Sequence, residues 1–186
     1  MSRRANIADV HVFALEKYMD ERGYVTESFN DALFKELIGE NVTFISGHET
    51  FSRRDVLRGL HYQVQNPQSR LIRVSYGVIY EVALDLRKSS PTFGMWRGET
   101  LSSDSFSAMW IPAGVAHGYF VISEFALVNV YSDQLWNEAG QRCVRWDDKE
   151  LAIDWPLYKE YPIAVPPTIS ERDSCGKFFF EADFFD

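Results

Sequence analysis

The chain has 186 residues, of which 46% are hydrophobic and 15% aromatic, so it can bury one sizeable core within a single domain. Its formal net charge of −8 has no basic stripe, which argues against nucleic-acid binding and leaves anionic ligands to a few local arginines. The N-terminal MSRRANIADVHVF lacks the apolar stretch of a signal peptide, and no run of about 18 uncharged apolar residues follows. We therefore expect a soluble cytoplasmic protein that does not contact a membrane.

The elements predicted along the chain are mostly strands. One helix is predicted over Glu27–Leu37, where apolar residues fall at helical spacing and Gly39 follows as a stop. Short runs rich in Val, Ile, Tyr and Phe, separated by turn-forming residues, then predict strands. These runs are Val42–Ile45, Leu71–Tyr76, Val78–Leu86, Phe93–Thr100, Ala108–Ile111, Gly118–Ile122 and Phe125–Tyr131.

Many short strands in a chain of this size favour an all-β jelly roll with short flanking helices. We expect a single domain over residues 1–186, with an N-terminal arm of about residues 1–40. The tail from about residue 162 to 186 ends in KFFFEADFFD, which fits a helix folded over the barrel or a strand that binds a partner. Cys143 and Cys175 stand outside any ligand spacing and are expected to be free thiols.

Two histidines stand in the most informative contexts, His61 in GLHYQ and His117 in PAGVAH. A metal-binding cupin presents two histidines one residue apart on its first motif, because alternate strand residues point into the barrel together. Gln63 occupies the second of those positions, so we expect no metal and instead acid–base chemistry by the two imidazoles. The alternative is that both are hydrogen-bonded core residues.

Five collinear blocks strongly resemble the dTDP-4-dehydrorhamnose 3,5-epimerase family. They are DERGYVTESF at residues 20–29, DVLRGLHYQ at 55–63 continuing into RLIRVSYGVIYEVALDLRKSSPTFGMW at 70–96, IPAGVAHGYF at 111–120, RWDDKELAIDWP at 145–156 and ISERD at 169–173. The resemblance implies a double-stranded β-helix, the cupin jelly roll, that forms a homodimer with strand exchange. It also implies a nucleoside-diphosphate 4-keto-6-deoxy sugar as substrate, epimerised at carbon three, carbon five or both without a cofactor. Such sugars usually end in surface polysaccharides or glycosylated natural products.

The resemblance assigns roles to particular residues. His61 matches the family's base and Asp173 the aspartate that orients it, an arrangement that fixes the imidazole tautomer. Arg70 stands where the family usually has a lysine, and with His117 it would stabilise the oxygen that becomes negative. The resemblance places Arg22 and Arg58 at the diphosphate, for which arginine offers bidentate contacts, and has Glu27 help to frame the nucleotide. A surface ion pair is the alternative for Arg22 and Glu27.

The sequence departs from the family pattern where the catalytic acid is expected. The family has a tyrosine after the strand matching Phe125–Tyr131, and ungapped alignment places Trp136 there, which can stack on a sugar or base but is no acid. Three explanations stay open: Tyr131 or Tyr62 replaces that tyrosine, water or His117 returns the proton, or the activity is impaired. Tyr131 is the replacement we carry forward, with Gln63 and Trp136 as substrate contacts.

The segment ISGHETFS at residues 45–52 also differs from the family, which puts the thymidine preference in question. Two other functions compete with an epimerase. One is a catalytically impaired cupin that binds nucleotide sugars. The other is a metal-dependent cupin enzyme with His61, His117 and a carboxylate as ligands.

Overall fold

The computed structural model describes residues 3–39, 41–157 and 166–186. Helix α1 covers Asp31–Ile38, helix α2 covers Glu171–Ser174, and a short 3-10 turn covers Phe179–Glu181. The strands in chain order are β1 His11–Ala14, β2 Lys17–Asp20, β3 Gly23–Thr26, β4 Ser46–Arg53, β5 Leu57–Gln63, β6 Arg70–Tyr76, β7 Val78–Asp85, β8 Trp96–Ser102, β9 Ser107–Ile111, β10 Val115–Val121, β11 Phe125–Ser132 and β12 Gln141–Cys143.

Two five-stranded antiparallel sheets form the body of the chain. The front sheet has the order β12-β5-β10-β7-β8 and the back sheet the order β1-β9-β6-β11-β4, while β2 and β3 make a separate hairpin. Consecutive strands often lie in different sheets, as β4 and β5 do, which is typical of a jelly roll. The predicted all-β double-stranded β-helix is confirmed.

Strand alternation sorts the apolar residues into three layers. Ile72, Val74, Val128 and other residues of the back sheet meet Val115, Tyr119 and their neighbours of the front sheet inside the barrel. The outer face of the front sheet is covered by the C-terminal segment, which contributes Leu151, Trp155 and Phe179. The outer face of the back sheet is covered by α1.

Helix α1 begins four residues later than predicted. The side chain of Asn30 accepts a hydrogen bond from the Leu33 N–H and caps the helix, so Glu27 stays outside it. Gly39 ends the helix in the left-handed conformation, with φ of 69°, as the sequence indicated. Phe34 is the buried residue of α1 and packs edge-on against Trp110 of the back sheet.

The predicted strand Val42–Ile45 is wrong, because Val42 and Phe44 pack beside α1 over the back sheet and the strand begins only at Ser46. Strand β4 escaped prediction because its residues are mostly polar and exposed. Strand β5 escaped because RGLHYQ contains a glycine and polar residues among its apolar positions. Strands β1, β2, β3 and β12 are three or four residues long and were also missed.

The tail packs on the barrel where it is described. Its first residues, 162–165, lie outside the described residues. Thr168 bridges to Val56, α2 contacts β5, and Phe185 bridges to Arg87 at the far end of the front sheet. The helical elements of the described tail are α2 and the 3-10 turn, and KFFFEADFFD contains only the turn. None of the helices described is long and apolar enough to cross a bilayer.

Candidate active site

A β-bulge determines which side chains of β5 face the barrel interior. Arg58 and His61 are three residues apart and would point to opposite faces of a regular strand. The pairing with β10 shifts by one residue between them, so Arg58 lies opposite Tyr119 and His61 lies opposite His117. Gly59 makes this possible: its φ is +110°, and a Cβ there would lie 2.6 Å from the carbonyl oxygen of His117.

His61 is held from behind by Asp173. Its Nε2 atom lies 2.6 Å from Oδ1 of Asp173, which is 4% exposed while the imidazole is 23% exposed. Two hydrogen bonds position Asp173. Its backbone N–H donates to the hydroxyl of Ser170, and its other carboxylate oxygen, Oδ2, accepts the N–H of Gly59. Burial alone would raise the pKa of Asp173, but the hydrogen bonds and the attraction to His61 outweigh it and lower the pKa. The residue is therefore an anion at neutral pH.

His117 forms a second imidazole–carboxylate pair, one layer deeper. Its Nδ1 atom lies 2.7 Å from Oε1 of Glu81, and these side chains are 11% and 0% exposed. Burial raises the pKa of Glu81 well above its usual value, and burial together with the charge of Arg70 lowers the pKa of His117 well below its usual value. Both shifts favour the uncharged forms. The other oxygen of Glu81, Oε2, has no hydrogen-bond partner among the described residues.

Arg70 provides a buried positive charge at the start of β6. Its Nη2 donates to the side-chain oxygen of Gln68 at 2.8 Å. Burial lowers its pKa to about 10, against the attraction of Glu81 and Asp133, so the guanidinium remains charged at neutral pH. A buried cation next to the neutral imidazole of His117 can stabilise an oxygen that gains negative charge.

A hydroxyl pair connects the front sheet to the back sheet near this group. The Tyr119 hydroxyl lies 3.2 Å from Oγ of Ser52 on β4, and that oxygen accepts from Nε of Arg58 at 3.0 Å. Tyr119 also lies directly opposite Glu81 across β10 and β7. The residues described so far thus contribute two imidazoles, a phenol, two guanidiniums and a carboxyl group to the inner surface.

Of two predicted substrate contacts, Gln63 holds the loop that carries the other, Trp136. The amide nitrogen of Gln63 donates to the carbonyl oxygens of Asn66 and Leu135, and its oxygen accepts the N–H of Asn137. These bonds hold the loop that carries Trp136, whose side chain is 59% exposed and donates to Gln141. In this structure Gln63 positions the loop, whereas the Trp136 indole is free to stack.

Tyr131 lies outside the barrel interior of its own chain. Residues of β11 alternate, and Val130 points into the interior core while Tyr131 points to the outer face of the back sheet. There its ring lies 6.2 Å from the ring of Phe44. Tyr62 also lies outside the barrel interior. It belongs to the outer layer of the front sheet, and its hydroxyl accepts the N–H of Asp183.

The arm residues Arg22 and Glu27 lie away from the barrel interior. Arg22 is at the turn of the β2–β3 hairpin, 84% exposed and paired with Asp20. Glu27 lines a cleft of about 390 Å³ between the arm, α1 and the outer face of the back sheet. Within one chain the back sheet therefore separates Glu27 from His61.

Three potential metal ligands meet in the described part of the chain. Atoms of His61, Cys143 and Asp173 lie within 4.8 Å of one another. However, Nε2 of His61 is already bonded to Asp173, and burial raises the pKa of Cys143 to about 12, which keeps the thiol protonated. A protonated thiol is a poor metal ligand. The group fits a cation badly.

Sequence reasoning missed three residues of the inner surface. These residues are Glu81, Tyr119 and His48. His48 lies on β4, opposite Val130 of β11. Partial burial and the charge of Arg70 lower the pKa of His48. The signal for Glu81 and Tyr119 was present, since each lies an even number of residues from an inward-facing position of its strand. Both stand within the blocks quoted above.

Comparison with known proteins gives a consistent result. Residues 4–181 match the sequence profile of the family described as dTDP-4-dehydrorhamnose 3,5-epimerase. The chain is 44% identical over 182 residues to the protein of that name from Pseudomonas aeruginosa, covering 98% of this chain and 97% of that protein. The Shigella flexneri protein of the same name is 38% identical, over 98% of this chain and 97% of its own length.

A solved structure gives the same picture. It is the dTDP-6-deoxy-D-glucose-3,5-epimerase of Legionella pneumophila in complex with dTDP-4-keto-L-rhamnose. That chain matches with a TM-score of 0.90 at 34% identity, covering 97% of this chain and 93% of that chain.

Proposed function

Because the chain belongs to the dTDP-4-dehydrorhamnose 3,5-epimerase family, we propose that it inverts carbons three and five of a dTDP-linked 4-keto-6-deoxyhexose. The observation that carries the proposal is the His61–Asp173 pair at the barrel interior, with 2.6 Å between Nε2 and Oδ1. No cofactor enters the reaction we propose.

The chemistry begins with a carbon acid. The ketone at carbon four acidifies the protons on carbons three and five, so one base beside the ring can form an enolate from either side of the carbonyl. With Nε2 bonded to Asp173, Nδ1 of His61 makes no hydrogen bond to the described residues and is the atom that takes the proton. The anionic Asp173 then stabilises the imidazolium that forms.

The enolate oxygen needs a positive or hydrogen-bonding neighbour. We assign this role to Arg70, which stays charged, and to neutral His117, which can donate from Nε2 while Nδ1 is held by Glu81. Groups that are fixed before the reaction cost little reorganisation when the charge develops. We assign the diphosphate to Arg58, whose Nε donates to Ser52 on the inner surface.

Arg22 and Glu27 belong to the nucleotide site of a partner subunit in this proposal. Supporting it, the hairpin that carries Arg22 exposes Tyr18, Met19 and Val25, which is an unusual surface for a protein free in water. A homodimer would cover these residues and bring each arm to the other barrel. The two free cysteines fit the reducing cytoplasm that we propose as its location.

Mixing two variants with weakened substrate binding, assayed at substrate concentrations well below their KM, tests the exchange of arms. Arg22→Ala and Arg58→Ala should each raise KM for the nucleotide sugar, because each removes a cation from the diphosphate. If the arms act in trans, heterodimers of the two variants contain one intact site and recover up to about half of the wild-type activity per dimer. No recovery after verified subunit exchange would place Arg22 outside the partner's site.

The reaction itself is tested in deuterated water. We expect the protein to introduce deuterium at carbons three and five of dTDP-4-keto-6-deoxyglucose, followed by NMR, and to form the inverted sugar. The matched control is dTDP-glucose, whose carbon four is an alcohol and therefore does not acidify its neighbours. A GDP-linked 4-keto sugar tests the nucleotide preference. Exchange with none of the keto sugars would reject the proposed function.

A further inference from the structure

Inversion at carbon requires a second proton donor, on the face of the ring opposite the base. If the base alone returned the proton, the carbon would exchange with solvent but keep its configuration. His61 lies on β5, the second strand from the edge of the front sheet. The donor must therefore reach the sugar ring from the face that points away from His61. Phenols serve this purpose because they are protonated at neutral pH and still exchange protons readily.

Most tyrosines of the described ranges are in the wrong place. Tyr18 and Tyr24 lie on the exposed hairpin, and Tyr76 stacks on Phe125 with 4.7 Å between ring centres. Tyr62 and Tyr80 lie in the outer layer of the front sheet, and Tyr131 lies outside the back sheet. Among the described residues, Tyr119 is the tyrosine whose ring belongs to the barrel interior.

The position of Tyr119 meets the geometric requirement. It lies two residues from His117 on the inner face of β10, and His117 lies directly opposite His61. Tyr119 is therefore about 7 Å farther along the strand than the His61–His117 pair. Its ring crosses the interior and places the hydroxyl 3.2 Å from Ser52 of the back sheet. The Tyr119 hydroxyl thus lies at the back sheet, whereas the His61 imidazole projects from the front sheet.

The surroundings of the hydroxyl suit a proton donor. Burial raises the pKa of Tyr119, which keeps it protonated at neutral pH, while Ser52, Arg58 and Thr50 act in the opposite direction and favour the phenolate. Arg58 donates to the same Ser52 oxygen that contacts the phenol. A positive charge one hydroxyl away stabilises the phenolate that remains after the proton has left.

We propose that Tyr119 is the catalytic acid that protonates the enolate on the face opposite His61. The inference rests on the proposed function. In the first step the C–H bond breaks, the proton goes to Nδ1 of His61 and the electron pair enters the enolate. In the second step the carbon takes the phenol proton, and the O–H electron pair stays on the Tyr119 oxygen. Water then returns a proton to Tyr119 and accepts one from His61.

Tyr119→Phe tests this assignment because it removes one oxygen and keeps the ring. In deuterated water we expect the variant to introduce deuterium next to the ketone while inversion falls roughly 100-fold or more, as for the loss of a general acid. The surviving exchange also shows that the variant is folded and binds substrate. Tyr76→Phe, which loses a hydroxyl on the exposed end of β6, is the matched control and should invert at the wild-type rate.

The outcomes separate the two proposals. Wild-type protein that exchanges and inverts, together with Tyr119→Phe that inverts equally fast, would overturn the role of Tyr119 and leave the epimerase intact. Loss of inversion in Tyr131→Phe but not in Tyr119→Phe would also overturn it. Wild-type protein that exchanges with no keto sugar would reject the proposed function before Tyr119 is tested. Exchange without inversion confined to Tyr119→Phe supports the assignment.

Discussion

Two imidazole–carboxylate pairs face the barrel interior, and they differ in burial and in charge. His61 and Asp173 lie 2.6 Å apart with side chains 23% and 4% exposed, whereas His117 and Glu81 lie 2.7 Å apart and are 11% and 0% exposed. The pKa of Asp173 is lowered because hydrogen bonds outweigh its burial. The pKa of Glu81 is raised because burial dominates.

Two pairs with similar geometry therefore have different chemical roles. An anionic carboxylate behind His61 stabilises the imidazolium, so this pair suits a base. Burial and the charge of Arg70 keep His117 neutral in front of an uncharged Glu81, so this pair suits a hydrogen-bond donor to the enolate oxygen. The same change of acid to amide in both pairs should reveal the difference.

Asp173→Asn should have the largest effect of the two amide substitutions. It removes the charge that stabilises protonated His61 and allows the wrong tautomer, so we expect deuterium exchange to slow roughly 100- to 10,000-fold. Initial exchange rates measured by NMR check this. A loss below tenfold would show that the carboxylate charge is not used.

Glu81→Gln should have a much smaller effect. A glutamine resembles the protonated carboxyl group that burial favours, so the loss should be about one hydrogen bond, or less than about tenfold in rate. The measurement is the same exchange assay at saturating substrate. A loss equal to that of Asp173→Asn would mean that Glu81 acts as an anion.

The pH dependence of unfolding should separate the pairs by sign. The lowered pKa of Asp173 gives a stabilisation that is present above its unfolded pKa, near 4, and is lost as the pH falls below that value. The raised pKa of Glu81 gives the reverse: stability is fully present below about pH 4.3 and is lost as the pH rises from there.

Urea unfolding at several pH values measures both effects. The free energy of unfolding of wild type minus that of Asp173→Asn should rise with pH between about 3 and 5. The corresponding difference for Glu81→Gln should fall between about pH 4 and 7. Differences that change in the same direction would contradict the assigned charge states.

A chelator should have the smallest effect, because neither pair is arranged to hold a cation. Dialysis against EDTA is expected to leave exchange and inversion unchanged. Activity that disappears and returns with iron, nickel, manganese or zinc would favour the metal-dependent alternative.

The sequence predicted the fold class and the principal pair, because the motif blocks carry His61 and Asp173 in positions that the family resemblance identifies. It did not predict the inner neighbours, since these depend on strand parity and on one bulge. Successive residues of β11 point to opposite faces, so Val130 lies inside the barrel and Tyr131 outside. The bulge at Gly59 brings Arg58 and His61 to one face, which a regular strand would separate.

Deuterium exchange by His61→Asn and His117→Asn, measured side by side on the 4-keto sugar, tests the central claim most directly. The claim is that His61 removes the proton and His117 only assists the oxygen. We expect His61→Asn to introduce no deuterium, whereas His117→Asn should still introduce it at a reduced rate. Exchange that persists in His61→Asn and disappears in His117→Asn would contradict the claim.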